Sequence, residues 1–166
     1  ASGNKCCVVI PLYSSISKEL RSQMTFINNI TVDVSWRKQY CGIFKSTVEG
    51  IDYYFIDNEY YFARDGLYGF YDDCERFVFF DRAVLEMLRH IDFKPDIIHC
   101  HDWQTALIPV YYNIYYKYQQ GFSGIKTVFT IHNIEYQGRY GLEVLEELMG
   151  IPNYNVNLLE YDGYVN

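Results

Sequence analysis

Two short stretches hold most of the side chains that could carry chemistry. One reads His99-Cys-His101-Asp102-Trp103-Gln104; the other reads Thr130-Ile-His132-Asn133, with Tyr136-Gln137-Gly138 close behind. Three of the 4 histidines in the chain fall in these stretches. Imidazoles beside a carboxylate can move protons, hold hydroxyl groups or, when neutral, ligate a metal. Each stretch closes a short apolar run, so both sets stand at the carboxyl end of a strand, where open parallel sheets bind ligands. That convergence carries more than any one of these residues.

Each candidate also has a structural reading. Alternation along a strand puts His99 and His101 on one face and Cys100 on the other. His99, deeper in the strand, reads as a core histidine, whereas His101, nearer the end, suits structure and function equally. Asp102 stands where a helix begins; it is either an N-cap or a carboxylate that orients a neighbouring histidine or holds a sugar hydroxyl. His132 ends its strand among polar residues and reads as functional. Trp103 reads as a packing anchor, His90 as a surface residue, and Asp72 and Asp73 as helix caps. His-x-His with Asp is also a zinc-ligand spacing, so a zinc hydrolase built on His99, His101, Asp102 and His132 is a competing expectation. It lacks a further ligand at fixed spacing. There is no Gly-x-Ser-x-Gly elbow, no phosphate-binding P-loop and no dinucleotide fingerprint.

The elements that position these residues change period along the chain. Lys5–Pro11 is a continuous apolar run expected as a buried strand, and 14–24 reads as a loop with one helical turn. Three strand-like segments follow, 26–36, 40–48 and 51–56, with Gly50 suited to a hairpin turn, so this part reads as an antiparallel meander. Residues 58–71 read as a loop. From Asp72 the spacing of Phe77, Phe80, Val84, Leu85 and Leu88 predicts a helix to about His90, opened by a capping box of Asp72 and Glu75. Buried strands are expected at 96–101 and 126–132. Helices are expected at 103–118, kinked or delayed by Pro109, and at 142–149. Short apolar strands separated by helices imply parallel crossovers. The expected fold is therefore α/β: a Rossmann-like parallel sheet flanked by helices, with the meander as an insertion or edge.

Composition narrows the partners. The chain has 166 residues, enough for one domain with a real core, and carries 14 Lys+Arg against 21 Asp+Glu, a net charge of −7. No basic stripe neutralises phosphates, so neither nucleic acid nor an anionic membrane is an expected partner. No apolar run reaches the ~20 residues that span a bilayer. The 5 cysteines form no Cys-x-x-Cys pair and fit a reducing, cytoplasmic setting. The 18 tyrosines and 11 phenylalanines read as core packing, with a carbohydrate-binding module that stacks sugars on tyrosine as a further alternative.

Two motifs carry a resemblance. Pro95-Asp-Ile-Ile-His-Cys-His-Asp-Trp-Gln104 and Thr127-Val-Phe-Thr-Ile-His-Asn-Ile-Glu-Tyr-Gln-Gly138 resemble bacterial glycogen synthases and plant starch synthases, retaining glycosyltransferases of the two-Rossmann-domain (GT-B) type. Val8–Tyr13, the helix start at Tyr71–Phe77 and Leu159–Gly163 match in order, so the resemblance covers essentially the whole chain. It implies that 1–166 is part of an amino-terminal, acceptor-side domain, one half of a GT-B architecture. The family's opening strand with its donor-phosphate loop and its whole second Rossmann domain, which also engages the donor, have no counterpart in this sequence. The isolated chain is accordingly expected to be silent in catalysis.

The implied reaction moves glucose from ADP-glucose, or UDP-glucose, to the non-reducing end of an α-1,4-glucan acceptor with retention. No metal or organic cofactor is implied. His132 matches the family's active-site histidine, whose side chain holds the transferred glucose and whose carbonyl lies near the anomeric carbon; such a dipole stabilises an oxocarbenium-like charge. Asp102 matches the active-site aspartate, expected to hydrogen-bond in the sugar pocket and fix the histidine. His101, Asn133, Tyr136 and Gln137 match neighbouring substrate-binding positions. Cys100 and Gln104 depart from the residues common in relatives. Sucrose and trehalose-phosphate synthase types share the same crevice logic and remain alternatives.

Overall fold

Two-residue turns fold the first third of the chain. Strands β2 (Thr25–Val34) and β3 (Arg37–Val48) meet across Ser35-Trp36, with Val34 opposite Arg37. Strands β3 and β4 (Ile51–Asp57) meet across Glu49-Gly50, with Val48 opposite Ile51. Glu49 and Gly50 both take positive φ, +50° and +80°, the twist that matches right-handed strands and that glycine adopts without strain. The meander is thus as expected. It is joined through β4 to β1 (Cys7–Pro11), which runs parallel to β4, giving the order β1-β4-β3-β2. The computed structural model describes residues 3–165; Ala1, Ser2 and Asn166 lie outside the described residues.

The long helix α3 (Asp73–Met87), buried nearly all round, packs on this sheet. Phe77, Val78, Phe79, Phe80, Val84 and Leu85 share one core with Val32, Val34, Cys41, Ile43, Tyr54 and Ile56. The expected capping box is not there. Asp72 holds the N-cap position without a side-chain cap, because both its oxygens are taken by Arg64, a bidentate pair. Asp73 instead accepts from the Gly69 and Phe70 amides and pairs with Arg76. Arg76 is fully buried, and its Nε also reaches the Tyr61 carbonyl at 2.7 Å. A charge so deep needs such a partner. The stretch 58–71 is not all loop: α2 (Glu59–Phe62) is capped by the Asn58 side chain, which accepts from the Tyr61 amide, and it buries Tyr61 and Phe62. The turn expected within 14–24 is α1 (Lys18–Ser22), capped by Ser17.

The chemistry-bearing strands form a second, parallel pair. Strand β5 (Ile97–His101) lies beside β6 (Lys126–Thr130), with Cys100 opposite Phe129 and His101 opposite Thr130. They were expected to be buried, yet only Cys100 among their residues is; β1 and β5 each keep one edge unpaired among the described residues. Both edges line a single groove of about 600 Å³ floored by Phe77, Phe80 and Val84 of α3. Apolar residues on both faces of a strand need cover on both faces, and α3 covers one.

The helix after β5 is three successive pieces: a 3-10 turn (Trp103–Thr105), α4 (Leu107–Tyr111) and a π segment (Tyr112–Tyr116) in which the Lys117 amide bonds the Tyr112 carbonyl. The α-helical start is delayed to Leu107, as expected, and Pro109 sits in the first turn of α4, where an amide has no intrahelical partner to lose. Short helix α5 (Val144–Glu147) and a terminal hairpin follow, β7 (Glu160–Tyr161) with β8 (Tyr164–Val165); Tyr140 bridges to Val165. The order of helices and parallel strand pairs is the expected α/β class.

Candidate active site

Asp102 is the hinge of the site. The chain leaves β5 at His101 and turns at Asp102 with φ +58° and ψ 178°. That conformation is nearly exclusive to glycine and costs about 1–3 kcal/mol in other residues, so the surroundings must hold it. They do so from three sides. The Asp102 amide donates to the Thr130 carbonyl at 2.9 Å, joining the turn to the end of β6. The Asp102 carbonyl accepts from the Thr105 amide at 3.1 Å. The Thr105 hydroxyl oxygen accepts from the His101 amide at 2.6 Å and lies 2.9 Å from the His101 carbonyl, so one side chain brackets the strand end.

The Asp102 carboxylate does not cap its own helix. Its Oδ1 accepts from the His132 amide at 2.6 Å and the Asn133 amide at 3.4 Å. A charge-assisted bond of this length fixes the backbone on which His132 is carried. Strand β6 ends at Thr130, two residues before His132, so without this clamp the histidine would stand on unpaired chain.

His101 and His132 then meet side to side. His101 Nδ1 and His132 Nε2 are 2.9 Å apart, with the rings edge to edge, 5.2 Å between centroids and 27° between planes. One nitrogen must donate and the other accept, so the pair is bridged by a single proton and cannot keep this bond with both rings charged. The partial burial of His101 and the neighbouring His99 and His132 rings lower its pKa from the ordinary histidine value, against a smaller upward pull from Asp102. His99 is exposed rather than a core residue: its ring lies 4.2 Å from that of His101, and its Nε2 is 2.7 Å from the Thr130 hydroxyl. The core position on β5 belongs to Cys100, on the opposite face.

The remaining candidates divide around this turn. Asn133, Tyr136 and Gln137 line a cavity of about 280 Å³ together with Asp102 and Trp103. Asn133 Oδ1 accepts from the Glu135 amide, the Gln137 amide group donates to the Ile134 carbonyl, and the Tyr136 ring packs on Tyr68 at 5.4 Å. His99 and His101 face the groove between β1 and β5 instead. Asp102 therefore links two recesses. Trp103 is the packing anchor expected of it, edge-on to Phe77 at 5.0 Å and covered by Gly138, where an added Cβ would collide with the indole. His90 is exposed, its Nδ1 3.2 Å from the Asn28 amide nitrogen. Thr105 and Thr130, which hold the frame, were missed by reasoning on residue type. A threonine three residues past a strand-end Asp is an available signal, since short hydroxyl side chains bond local backbone at such turns.

The zinc arrangement does not form. His101 and His132 spend nitrogens on each other, His99 meets Thr130, and Asp102 meets amides. Among the described residues no three His, Cys, Asp or Glu side chains gather as a metal site. No helix among the described residues is long and apolar enough to cross a membrane.

Comparison with known proteins identifies the family. A family model described as starch synthase catalytic domain matches residues 1–166. The chain is 52% identical over 161 residues to a glycogen synthase of Clostridium kluyveri, which covers 96% of this chain and 34% of that protein. It is 50% identical over 161 residues to a glycogen synthase of Alkaliphilus metalliredigens, with the same coverage. Among solved structures, the catalytic domain of starch synthase IV from Arabidopsis thaliana, bound to ADP and acarbose, is similar with a TM-score of 0.83 and 30% identity, over 99% of this chain and 35% of that one. The chain thus spans about a third of the length of the relatives it matches. With its whole length matched and its two histidine motifs set side by side, the chain belongs to the family of starch synthase catalytic domains.

Proposed function

We propose that this chain is the amino-terminal, acceptor-side part of a cytoplasmic glucan synthase. The whole protein transfers glucose from a nucleotide donor, ADP-glucose in preference to UDP-glucose, to the non-reducing end of an α-1,4-glucan, with retention. The observation that carries this reading is the Asp102 clamp on the His132 amide, which fixes the main chain at the point where two parallel strands end. In a retaining transfer the anomeric carbon gains positive charge, and a rigid main-chain dipole stabilises such charge without reorganising at the moment of reaction. The His132 backbone supplies that dipole, and its ring orients the glucose. Asp102 holds both in place. Asn133, Tyr136 and Gln137 offer amide and hydroxyl groups to the sugars. The leaving diphosphate needs cationic or backbone donors, and these come from the second Rossmann domain of the complete protein, with which this half forms the GT-B cleft. The residues of this chain support the sugar side of the reaction without a metal or organic cofactor.

The test is a screen of the full-length protein with glycogen, fructose 6-phosphate and glucose 6-phosphate as acceptors and ADP-glucose or UDP-glucose as donor. The expected outcome is glucose added to glycogen as a terminal α-1,4 residue that β-amylase releases. Transfer to a sugar phosphate in place of glycogen would move the protein to the sucrose or trehalose-phosphate synthase types.

A further inference from the structure

One buried acid has no part in the site as described. Asp81, in the middle of α3, is 1% exposed and forms no salt bridge among the described residues. Its Oδ2 accepts from the Leu107 amide at 3.0 Å, and the Ile108 amide also points to the carboxyl. These are the first two amides of α4, which the helix cannot satisfy itself. The residue at its N-cap position, Ala106, has no polar side chain to offer. Asp81 therefore caps α4 from another helix.

The capped end adjoins the catalytic turn. Asp102, the 3-10 turn Trp103–Thr105 and Leu107 follow one another without a loop: the Thr105 amide bonds the Asp102 carbonyl and the Ala106 amide bonds the Trp103 carbonyl. The left-handed Asp102 is tied at its front to Thr130 and His132 and at its back, through this turn, to Asp81. Asp81 and Asp102 also line the same cavity, and Asp81 Oδ1 is without a protein partner there.

We infer that Asp81 is a positioning residue for the Asp102–His132 centre, holding the back of the strained turn so that the Asp102 carboxylate meets the His132 amide. This rests on the glucosyl-transfer reading. Burial raises the acid of Asp81 well above the usual carboxylate range, against the smaller pull of the two amides. The cap needs an acceptor oxygen at these amides, so an amide of the same shape can replace the acid.

The test uses the full-length protein with Asp81→Asn, Asp81→Leu and Asp81→Ser, reading kcat and KM for ADP-glucose, thermal midpoint, and hydrogen exchange at the Leu107 and Ile108 amides. Asp81→Asn is expected to keep kcat within about twofold of wild type. Asp81→Leu is expected to lose about tenfold or more in kcat with KM little changed, and to speed exchange at both amides. Should Asp81→Leu not fold, Asp81→Ser, whose hydroxyl is too short to reach Leu107, is expected to show the same loss. A folded Leu or Ser variant with wild-type kcat would overturn the proposal, as would an Asn variant as poor as the Leu variant. A wild-type protein silent with every donor would refute the function instead. In that case unchanged exchange at Leu107 and Ile108 in the folded variants would refute the cap, and faster exchange would support it.

Discussion

At the scale of single residues, the site is a set of restraints on one strained aspartate. Thr105 carries two of them, so Thr105→Val should remove the acceptor of the His101 amide and loosen the turn. A hydrogen bond of this kind contributes about 1 kcal/mol net, equivalent to a fall of about 2–4 °C in thermal midpoint for a chain of this size. Calorimetry of the wild type and variant checks this; an unchanged midpoint would mean that the bracket is ornamental. His101 makes the second prediction. Its pKa is lowered in the fold, so on acidification the unfolded chain takes up this proton before the folded one does. The stability it contributes is therefore complete above the ordinary histidine pKa of about 6.5 and is lost as pH falls through the window down to the folded value. His101→Gln should flatten the pH dependence of unfolding in that window, as read by urea titrations from pH 7.5 to 5. An identical slope in the variant would contradict the shared-proton pair.

Among elements, the decisive feature is how α3 is anchored. Arg76, fully buried, meets Asp73 and the Tyr61 carbonyl. Arg76→Met strands the Asp73 charge and should cost about 3–5 kcal/mol, whereas Arg76→Met with Asp73→Leu should lose less than the single change. Urea midpoints of the three proteins decide it, and a double variant worse than the single would contradict the pairing. The same helix shows what the sequence made legible. Phe77, Phe80, Val84 and Leu85 recur at helical spacing and do face the core. The meander is equally plain from Glu49-Gly50. The capping box was misleading because Arg64, eight residues away, claims Asp72, a tertiary contact that local spacing cannot carry. The hairpin at Asp162-Gly163 went unread although its signal was local: both residues take positive φ, +52° and +80°, the pattern of a two-residue turn. For the site, strand ends and alternation placed His101, Asp102 and His132 near one another. That Asp102 would bond the backbone of His132, and His101 its ring, depends on the register of β5 against β6, which no residue pattern states.

For the molecule as a whole, the chain spans about a third of the length of its relatives. The apolar edges of β1 and β5 line an open groove, and Ile97, Val128, Phe129 and Ile131 are exposed. Unpaired strand edges and apolar patches of this kind recruit other chains. Residues 1–166 alone should therefore bind a hydrophobic dye and self-associate in light scattering, and the full-length protein should do neither; a monodisperse, dye-silent fragment would contradict this. We propose that the Asp102–His132 centre performs glucosyl transfer in the full-length protein. Its most direct test follows labelled glucose from ADP-glucose into glycogen for the full-length wild type and His132→Ala, with folding of each verified by circular dichroism. Steady transfer by the wild type and a loss of about a hundredfold or more in the variant are expected, at least about 2.7 kcal/mol of transition-state stabilisation. A folded His132→Ala protein that transfers glucose at the wild-type rate would contradict it.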